Sequence, residues 1–388
     1  MRTSAAVHMN ELALELIKRG HKVTVIIPVA SNKAYLKVDD CNGCRLVSVS
    51  TLKNKDVGYL RRFIAEFISP YVLYYRLRYS PIINEDFDGI IWYSPTIFWG
   101  PLISRLKERY ACPAYLVLRD MFPDWAVDLG LMKKGLPYYF LKYVEYYQCK
   151  VATCIGIQAP GNLKYFNTGF LQKFKSKVEL LWTWVTPTIM PISCSIDLSK
   201  TKLAGRLNFV YAGNMGIAQD FDFIMSLATL FNERSDIGFV FIGRGSEVGR
   251  LKDIAAQGNL SNVIFFDEID SVEIPALYAQ CSIGLVALDQ RHKSNNIPGK
   301  FLSYMESGLP VLARLNPGND LIKLIDDNRI GKSYVGSDVR EFELVANQLI
   351  KMVQDDQEIF SRCRNLAHTL FSTESAADQI LGALELEN

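Results

Sequence analysis

Apolar residues recur along this chain with two alternating periods. Over residues 4–19, Ala5, Ala6, Met9, Leu12, Ala13, Leu16 and Ile17 fall at helical spacing and form one apolar stripe. Gly20 follows as a helix stop. The run Lys22-Val-Thr-Val-Ile-Ile-Pro28 is β-branched and closes at a proline, which predicts a buried strand. Further strands are predicted at 87–93, 113–118, 153–158 and 178–182, and helices at 58–79, 98–110 and 138–150. Residues 183–200 hold Pro187 and Pro191 and show no period, so they read as a linker.

A second series follows. Strands are predicted near 207–212, 238–243, 262–266, 283–288, 309–313 and 330–335. Helices are predicted near 219–232, 246–257, 273–281, 298–307, 318–326 and 339–354, then at 356–371 and 373–386. Strands alternating with helices at these lengths form parallel sheets covered on both faces. The expected architecture is α/β, with two Rossmann-like domains facing a cleft. The boundaries are 1–184 for the first domain, 185–200 for the linker, 201–372 for the second domain and 373–388 for a C-terminal helix. Ligands of such sheets bind at the carboxyl ends of the strands. The chain starts on a helix, where a doubly wound domain starts on its central strand. The first domain is therefore read as short of one strand, through a late start at Met1 or through loss.

Composition narrows the classes. The 388 residues are 49% hydrophobic and 22% charged, which suits a core-forming globular chain. The net charge of +2 conceals an asymmetry. Residues 1–184 carry 25 Lys and Arg against 15 Asp and Glu, while residues 185–388 carry 18 against 26. The first half is expected to meet something anionic. No apolar run reaches the roughly 18 residues of a membrane span. The start shows no secretory apolar region, so a cytoplasmic location is expected. Of eight cysteines, Cys41 and Cys44 form one C-x-x-C with no second pair at zinc-like spacing. They read as reduced structural thiols, the alternative being a metal or redox pair.

Three segments concentrate candidate chemistry. Gly213-Asn214-Met215-Gly216, between a predicted strand and helix, is either an anion cradle or an ordinary glycine turn. Arg244, between Gly243 and Gly245, ends a neighbouring strand and is either a phosphate or base contact or a solvent-facing side chain. The loop Arg291-His292-Lys-Ser-Asn-Asn-Ile-Pro-Gly-Lys300 enters a helix. Lys300 in a first helical turn opposes the helix dipole unless an anion sits between them. The alternative is a plain surface loop.

The order Gly213-Asn-Met-Gly with Gln219, then Phe241-Ile-Gly-Arg-Gly, then Pro298-Gly-Lys-Phe-Leu-Ser-Tyr-Met-Glu-Ser-Gly-Leu-Pro-Val311 resembles family 4 glycosyltransferases of the GT-B fold. Arg19-Gly-His-Lys-Val-Thr-Val is similar to the helix-to-strand junction of that family's N-terminal domain. Tyr93-Ser-Pro-Thr-Ile-Phe-Trp-Gly100 and Leu118-Arg-Asp-Met-Phe-Pro-Asp-Trp125 resemble a narrower subgroup, the bacterial O-antigen N-acetyl-L-fucosamine transferases. The resemblance spans essentially the whole chain. It implies retaining, metal-independent transfer of a sugar from a UDP-sugar donor, with no further cofactor, to an undecaprenyl-diphosphate-linked saccharide. The family's two glutamates, separated by seven intervening residues, fall on Asn295 and Ser303 here, so both acids are absent. Glu306, three residues too late, is expected to be an exposed helix residue.

Without a metal, cations and helix termini must stabilise the leaving diphosphate. Donor binding is assigned to Gly213, Asn214, Met215, Gly216, Gln219, Arg244, Arg291, Asn295, Pro298, Gly299, Lys300 and Ser303. Arg119 and Asp120 end a predicted strand and are the catalytic candidates. Asp120 serves as general base or orienting hydrogen-bond partner, or is only a helix N-cap. His8 and His21 are read as structural, and His292 as a possible phosphate contact.

Residues 57–79 combine seven aromatics with Arg61, Arg62, Arg76 and Arg78, and residues 133–150 repeat the mixture with Lys133, Lys134, Lys142 and Lys150. Basic aromatic helices suit an anionic bilayer surface, the alternative being that the aromatic faces are core. Arg2 and the four arginines are the acceptor or membrane candidates, with peripheral attachment to the inner membrane. No nucleic-acid partner is expected, since the second half is acidic. Two rival functions remain: a sugar-nucleotide epimerase of the same fold and a non-catalytic nucleotide-sugar binder.

Overall fold

Glycine turns and β-branched runs set the breaks between elements. The computed structural model describes residues 4–30, 35–54, 57–94, 96–128, 130–167, 169–185, 193–216, 219–289 and 297–385. The chain divides into two compact units, Met1–Trp182 with Thr373–Asn388, and Thr183–Ser372. The C-terminal helix thus belongs to the first unit. The second half of the expected linker packs into the second unit, where Leu198 is buried and its N–H donates to the Gln280 side chain at 2.8 Å.

The first unit opens with α1 (Ser4–Lys18), which buries Leu12, Ala13 and Leu16. Gly20, at φ +92°, turns the chain into β1 (Thr24–Val29). Then come β2 (Leu36–Cys41) and β3 (Cys44–Ser50), a hairpin absent from the periodicity reading. Its turn is Asn42-Gly43, both at positive φ, as a two-residue type I′ turn requires. Cys41 and Cys44 are register partners across that turn, which accounts for their spacing. Both are free thiols, and burial pushes the Cys44 thiol up, away from the thiolate that metal binding needs.

There follow α2 (Tyr59–Arg78), β4 (Ile90–Ser94), α3 (Gly100–Tyr110), β5 (Ala114–Leu118), α4 (Asp124–Asp128), α5 (Leu136–Val151), β6 (Cys154–Ile157) and β7 (Val178–Leu180). The strands form two sheets among the described residues, β1-β3-β2 and β4-β5-β6-β7. β5 is wholly buried, as its Ala-Tyr-Leu-Val-Leu run predicts. β1 departs from expectation. It is only half-buried, and it runs through Pro28, which pairs in register with Val49.

The second unit alternates regularly: β8 (Leu207–Ala212), α6 (Phe221–Leu230), β9 (Ile237–Ile242), α7 (Val248–Gln257), β10 (Val263–Phe266), α8 (Ile274–Tyr278), β11 (Ile283–Ala287), α9 (Gly299–Glu306), β12 (Val311–Arg314), α10 (Asp320–Asn328), β13 (Gly331–Tyr334), α11 (Val339–Asp355) and α12 (Ile359–Leu370). Its six strands are parallel in the order β10-β9-β8-β11-β12-β13. This is the doubly wound order, with the switch point between β8 and β11. Phe209, Tyr211, Phe239 and Phe241 fill the core beneath α6 and α11. The last helix, α13 (Thr373–Ala383), returns to the first unit, where Arg19 donates to the Glu374 carbonyl at 3.0 Å and pairs with Asp378.

Candidate functional site

The carboxyl ends of β8 and β9 hold two glycine loops that interlock. A Cβ on Gly243 would lie 2.1 Å from the Gly213 carbonyl oxygen, and one on Gly245 would lie 2.0 Å from that of Met215. Both glycines also have positive φ, so only glycine fits. The interlock changes the reading of the Gly213–Gly216 stretch. The Gly213 N–H donates to the Ile242 carbonyl at 2.9 Å, Met215 to Arg244 at 2.7 Å, and Gly216 to the Gln219 side chain at 2.9 Å. Among the described residues, only the Asn214 N–H of this stretch is left for a ligand. Met215 is fully buried and Gln219 braces the loop, so neither side chain is placed for ligand contact. The helix end is also wrong for an anion, because α6 starts only at Phe221, with Asp220 at its N-cap and Asp222 in its first turn.

Lys300 supplies what the amides do not. It lies in the first turn of α9, whose N-cap is Pro298. Tyr304, one turn on, is buried and donates its hydroxyl to the Val210 and Leu285 carbonyls at 3.1 and 3.2 Å, pinning α9 across β8 and β11. The Lys300 ammonium sits 4.7 Å from the centre of the Tyr211 ring, and its stem runs beside Gly213. Burial lowers its pKa to about 8. Lys300, Gly299, Pro298 and the Gly213–Asn214 turn therefore converge at the switch point. Arg244 is exposed on the rim, 3.3 Å from Glu268. Ser303 faces back along α9, its hydroxyl 3.4 Å from the Gly299 carbonyl. Glu306 is half-buried, not exposed. Arg291, His292, Asn295 and Arg2 lie outside the described residues.

Nothing in the spacing marked Tyr211, the platform under Lys300. Arg314 was also passed over. It ends β12 almost fully buried, 3.4 Å from Asp220 and 4.2 Å from the Phe223 ring centre. An arginine at the end of an apolar strand was the available signal.

In the first unit, Arg119 is buried and not a solvent-facing catalytic group. It donates to the Leu181 carbonyl at 3.2 Å and bonds to Tyr93, and its own carbonyl accepts from Gln158 at 2.7 Å. Burial lowers its pKa to about 10. Asp120, the next residue, is exposed just past the end of β5. The surrounding protein still raises the Asp120 carboxyl by desolvation, against the opposing pull of Arg119. Asp120 caps no helix, since α4 starts at Asp124. His8 is held near pKa 4, first by burial and then by Arg119, so it stays neutral. Among the described residues, no three His, Cys, Asp or Glu side chains group to hold a metal.

Below this turn lies a buried charge network. Lys142 pairs with Asp124 at 2.8 Å and with Glu145, and the Tyr138 hydroxyl donates to Asp124 at 2.8 Å. Lys142 is therefore no membrane contact. Burial alone would lower its pKa, but its two carboxylates hold it above the usual value.

The aromatic helices are not covered as core. α2 buries a narrow stripe of Ala65, Ser69, Leu73 and Leu77. Leu60, Phe63, Ile64, Phe67, Ile68, Tyr71 and Tyr75 are exposed, Leu60 at 73%. On α5, Leu136 (88%), Tyr139, Phe140 and Tyr143 are exposed, and the two stripes meet where Phe140 lies 6.2 Å from Phe67. Arg61, Arg62 and Arg78 are exposed beside them, Arg62 pairing with Glu66 at 2.8 Å. Arg76 is tied inward, to the Ser50 carbonyl and over the Tyr35 ring. No helix among the described residues is long and apolar enough to cross a membrane.

Two Rossmann-like units and this switch-point site define the GT-B class of glycosyltransferase folds. Residues 206–355 match the family described as "Glycosyl transferases group 1". A curated relative, the probable glycosyltransferase WbjE of Pseudomonas aeruginosa, is 29% identical over 228 residues. That match covers 56% of this chain and 54% of the relative, about half of each. Among solved structures, trehalose-6-phosphate from E. coli bound with UDP-2-fluoro glucose superposes with TM-score 0.69 at 11% identity, covering 100% of this chain and 96% of that one. Anabaena Alr3699/HepE in complex with UDP gives 0.66 at 12%, covering 99% and 97%. WaaG, a glycosyltransferase of lipopolysaccharide biosynthesis, gives 0.59 at 17%, covering 98% and 97%.

Proposed function

We propose that this protein is a metal-independent, retaining glycosyltransferase using a UDP-sugar. The observation that carries the reading is the convergence of Lys300 and the Asn214 amide at the switch point, inside the segment that matches the group 1 glycosyl transferases. A partly desolvated ammonium over an aromatic ring is suited to a diphosphate whose negative charge grows as the sugar departs. Arg244 on the rim adds a second cation. In the first unit, Asp120 orients or deprotonates the acceptor hydroxyl, held in place by Arg119. The motif segments Tyr93–Gly100 and Leu118–Trp125, which resemble the N-acetyl-L-fucosamine transferases, lead to that donor sugar and to an undecaprenyl-diphosphate-linked saccharide as acceptor.

The test is incubation of the protein with a panel of UDP-sugars and membranes bearing defined lipid-linked saccharides. A glycosylated lipid with the donor's anomeric configuration retained is expected. Absence of transfer from every donor would overturn the reading. An isomerised donor formed without acceptor would assign an epimerase instead.

Docking at the inner membrane fits the same activity, because the acceptor is lipid-bound. The joined apolar stripes of α2 and α5, rimmed by Arg61, Arg78, Lys133 and Lys134, have the chemistry of an interfacial surface. Phe63→Ser with Phe67→Ser is expected to weaken sedimentation with anionic vesicles by about tenfold or more, since each buried ring contributes about 1.5–3 kcal/mol. Binding of the unaltered protein falls with salt as its basic residues are screened. Equal sedimentation of the two proteins would remove the membrane role from this surface.

A further inference from the structure

Arg314 is a cation in a core position. It closes β12 in register between Ala287 of β11 and Tyr334 of β13. Two residues earlier, on the same face of the strand, Leu312 belongs to the core beneath α6 and α11. Arg314 follows it inward, with only 3% of the residue exposed. The guanidinium lies 4.2 Å from the Phe223 ring centre and 5.6 Å from that of Tyr334, and those two rings are themselves stacked. Nη2 is 3.4 Å from an Asp220 carboxylate oxygen, while Nε and Nη1 are buried and find no acceptor among the described residues. A buried cation so thinly bonded costs stability, and an apolar side chain would fill the same space at lower cost. What the arginine adds is a link.

That link runs to the glycine loop after β8. Asp220 stands at the N-cap of α6, yet its side chain caps no amide there and pairs with Arg314. Gln219, the residue before it, clasps Gly216 twice. Its side chain accepts from the Gly216 N–H at 2.9 Å, and its own N–H donates to the Gly216 carbonyl at 3.2 Å. The near end of the loop is fixed separately. There the Tyr211 hydroxyl donates to the Asn214 carbonyl at 2.9 Å, and Gly213 and Met215 bond to the strand and loop beside them. Arg314, through Asp220, anchors the far end.

The same residue also holds the exit of β11. Its carbonyl accepts from the Leu288 N–H at 2.9 Å, and the Asp289 carboxylate adds negative charge around its guanidinium. The next helix along the chain is α9, whose first turn carries Lys300. Arg314 therefore touches the roots of both segments that supply the switch-point site.

We propose that Arg314 is a positioning residue for the donor. Acting through Asp220, it fixes the loop that presents the Asn214 amide to the diphosphate, a role that rests on the UDP-sugar reading of the site.

The experiment uses the 388-residue chain, Arg314→Met, Asp220→Asn and the double variant. Two quantities are read in each: amide hydrogen exchange without ligand, and UDP affinity by calorimetric titration. Each single variant is expected to speed exchange at Gly216 and Gln219 by about tenfold or more, with the Phe239 and Phe241 amides of β9 little changed. UDP affinity is expected to fall about tenfold in each, the size of one lost hydrogen bond to a charged group. The double variant should bind UDP no more weakly than the single ones, because both substitutions cut one link. Arg314→Lys, which keeps a cation near Asp220, should regain part of the affinity. An arginine that only fills the core would alter unfolding and β9 exchange and leave the UDP affinity of the folded protein intact, and that result overturns the proposal. Unchanged exchange at Gly216 and Gln219 overturns it too, as do losses of affinity that multiply in the double variant. If Arg314→Met does not fold, Asp220→Asn decides alone, since that side chain is 26% exposed. Unchanged loop exchange or unchanged affinity in it then overturns the proposal. Absence of UDP binding in the unaltered chain would instead overturn the proposed function, and the donor role of Arg314 with it.

Discussion

Replacing Lys300 with methionine is expected to reduce turnover by about 10²-fold, the usual effect of removing one preorganised donor from a developing anion. On the proposed function, in which the ammonium meets the diphosphate both before and during departure, UDP affinity should fall with it. Methionine keeps the stem against Tyr211 and Gly213, so folding should be largely preserved. Lys300→Arg should restore a substantial part of both quantities. The pH dependence has a definite sign. Burial lowers Lys300 to about 8, so the cation is present below that pH and is lost above it. UDP affinity should therefore decline as pH rises through about 8, and Lys300→Arg should remove that decline, since arginine stays charged. Calorimetric titration with UDP across this range is the check. Unchanged UDP affinity in Lys300→Met would reject the phosphate role.

The second large effect is one of stability. Lys142→Met should destabilise the first unit by about 3–5 kcal/mol at neutral pH, because Asp124 would keep its charge without a partner and Glu145 would have to bind a proton that the unfolded chain does not hold. Glu145 is fully buried, and burial already raises its carboxyl to about 7 even beside Lys142. A carboxylate raised above its unfolded value contributes most stability when protonated and loses it as pH rises through the folded value. Removing Lys142 raises Glu145 further, so the deficit of the variant should shrink on acidification towards about pH 5. Adding Glu145→Leu should recover much of the loss by leaving an apolar site. Urea unfolding at acidic and alkaline pH measures all three. A neutral-pH deficit below about 1 kcal/mol would show that Lys142 is not what balances these carboxylates.

The alternation of elements was legible because each is long enough to show its period. The hairpin of β2 and β3 was also written plainly, in Asn42-Gly43, but the flanking cysteines draw attention to ligand chemistry first. Other features depend on contacts remote in sequence. The Gly213–Gly216 amides look free until Gly243 and Gly245 bring a second loop against them. Arg119 reads as a catalytic candidate at a strand end until Tyr93, Gln158 and the Leu181 carbonyl enclose it. Lys300 was legible for a physical reason, as a cation placed where a helix disfavours one. The aromatic helices could not be resolved from sequence, since periodicity defines a stripe but not what lies against it.

The return of α13 to the first unit bears on how the chain is made. Gln379 donates to the Leu180 carbonyl at 2.9 Å, and Arg19 of α1 meets Glu374 and Asp378. Synthesis runs from the amino end, and domains ordinarily fold in that order as they emerge. Here the seat of α1 stays uncovered while all of Thr183–Ser372 is translated. The unit made first on the ribosome is the last to be finished.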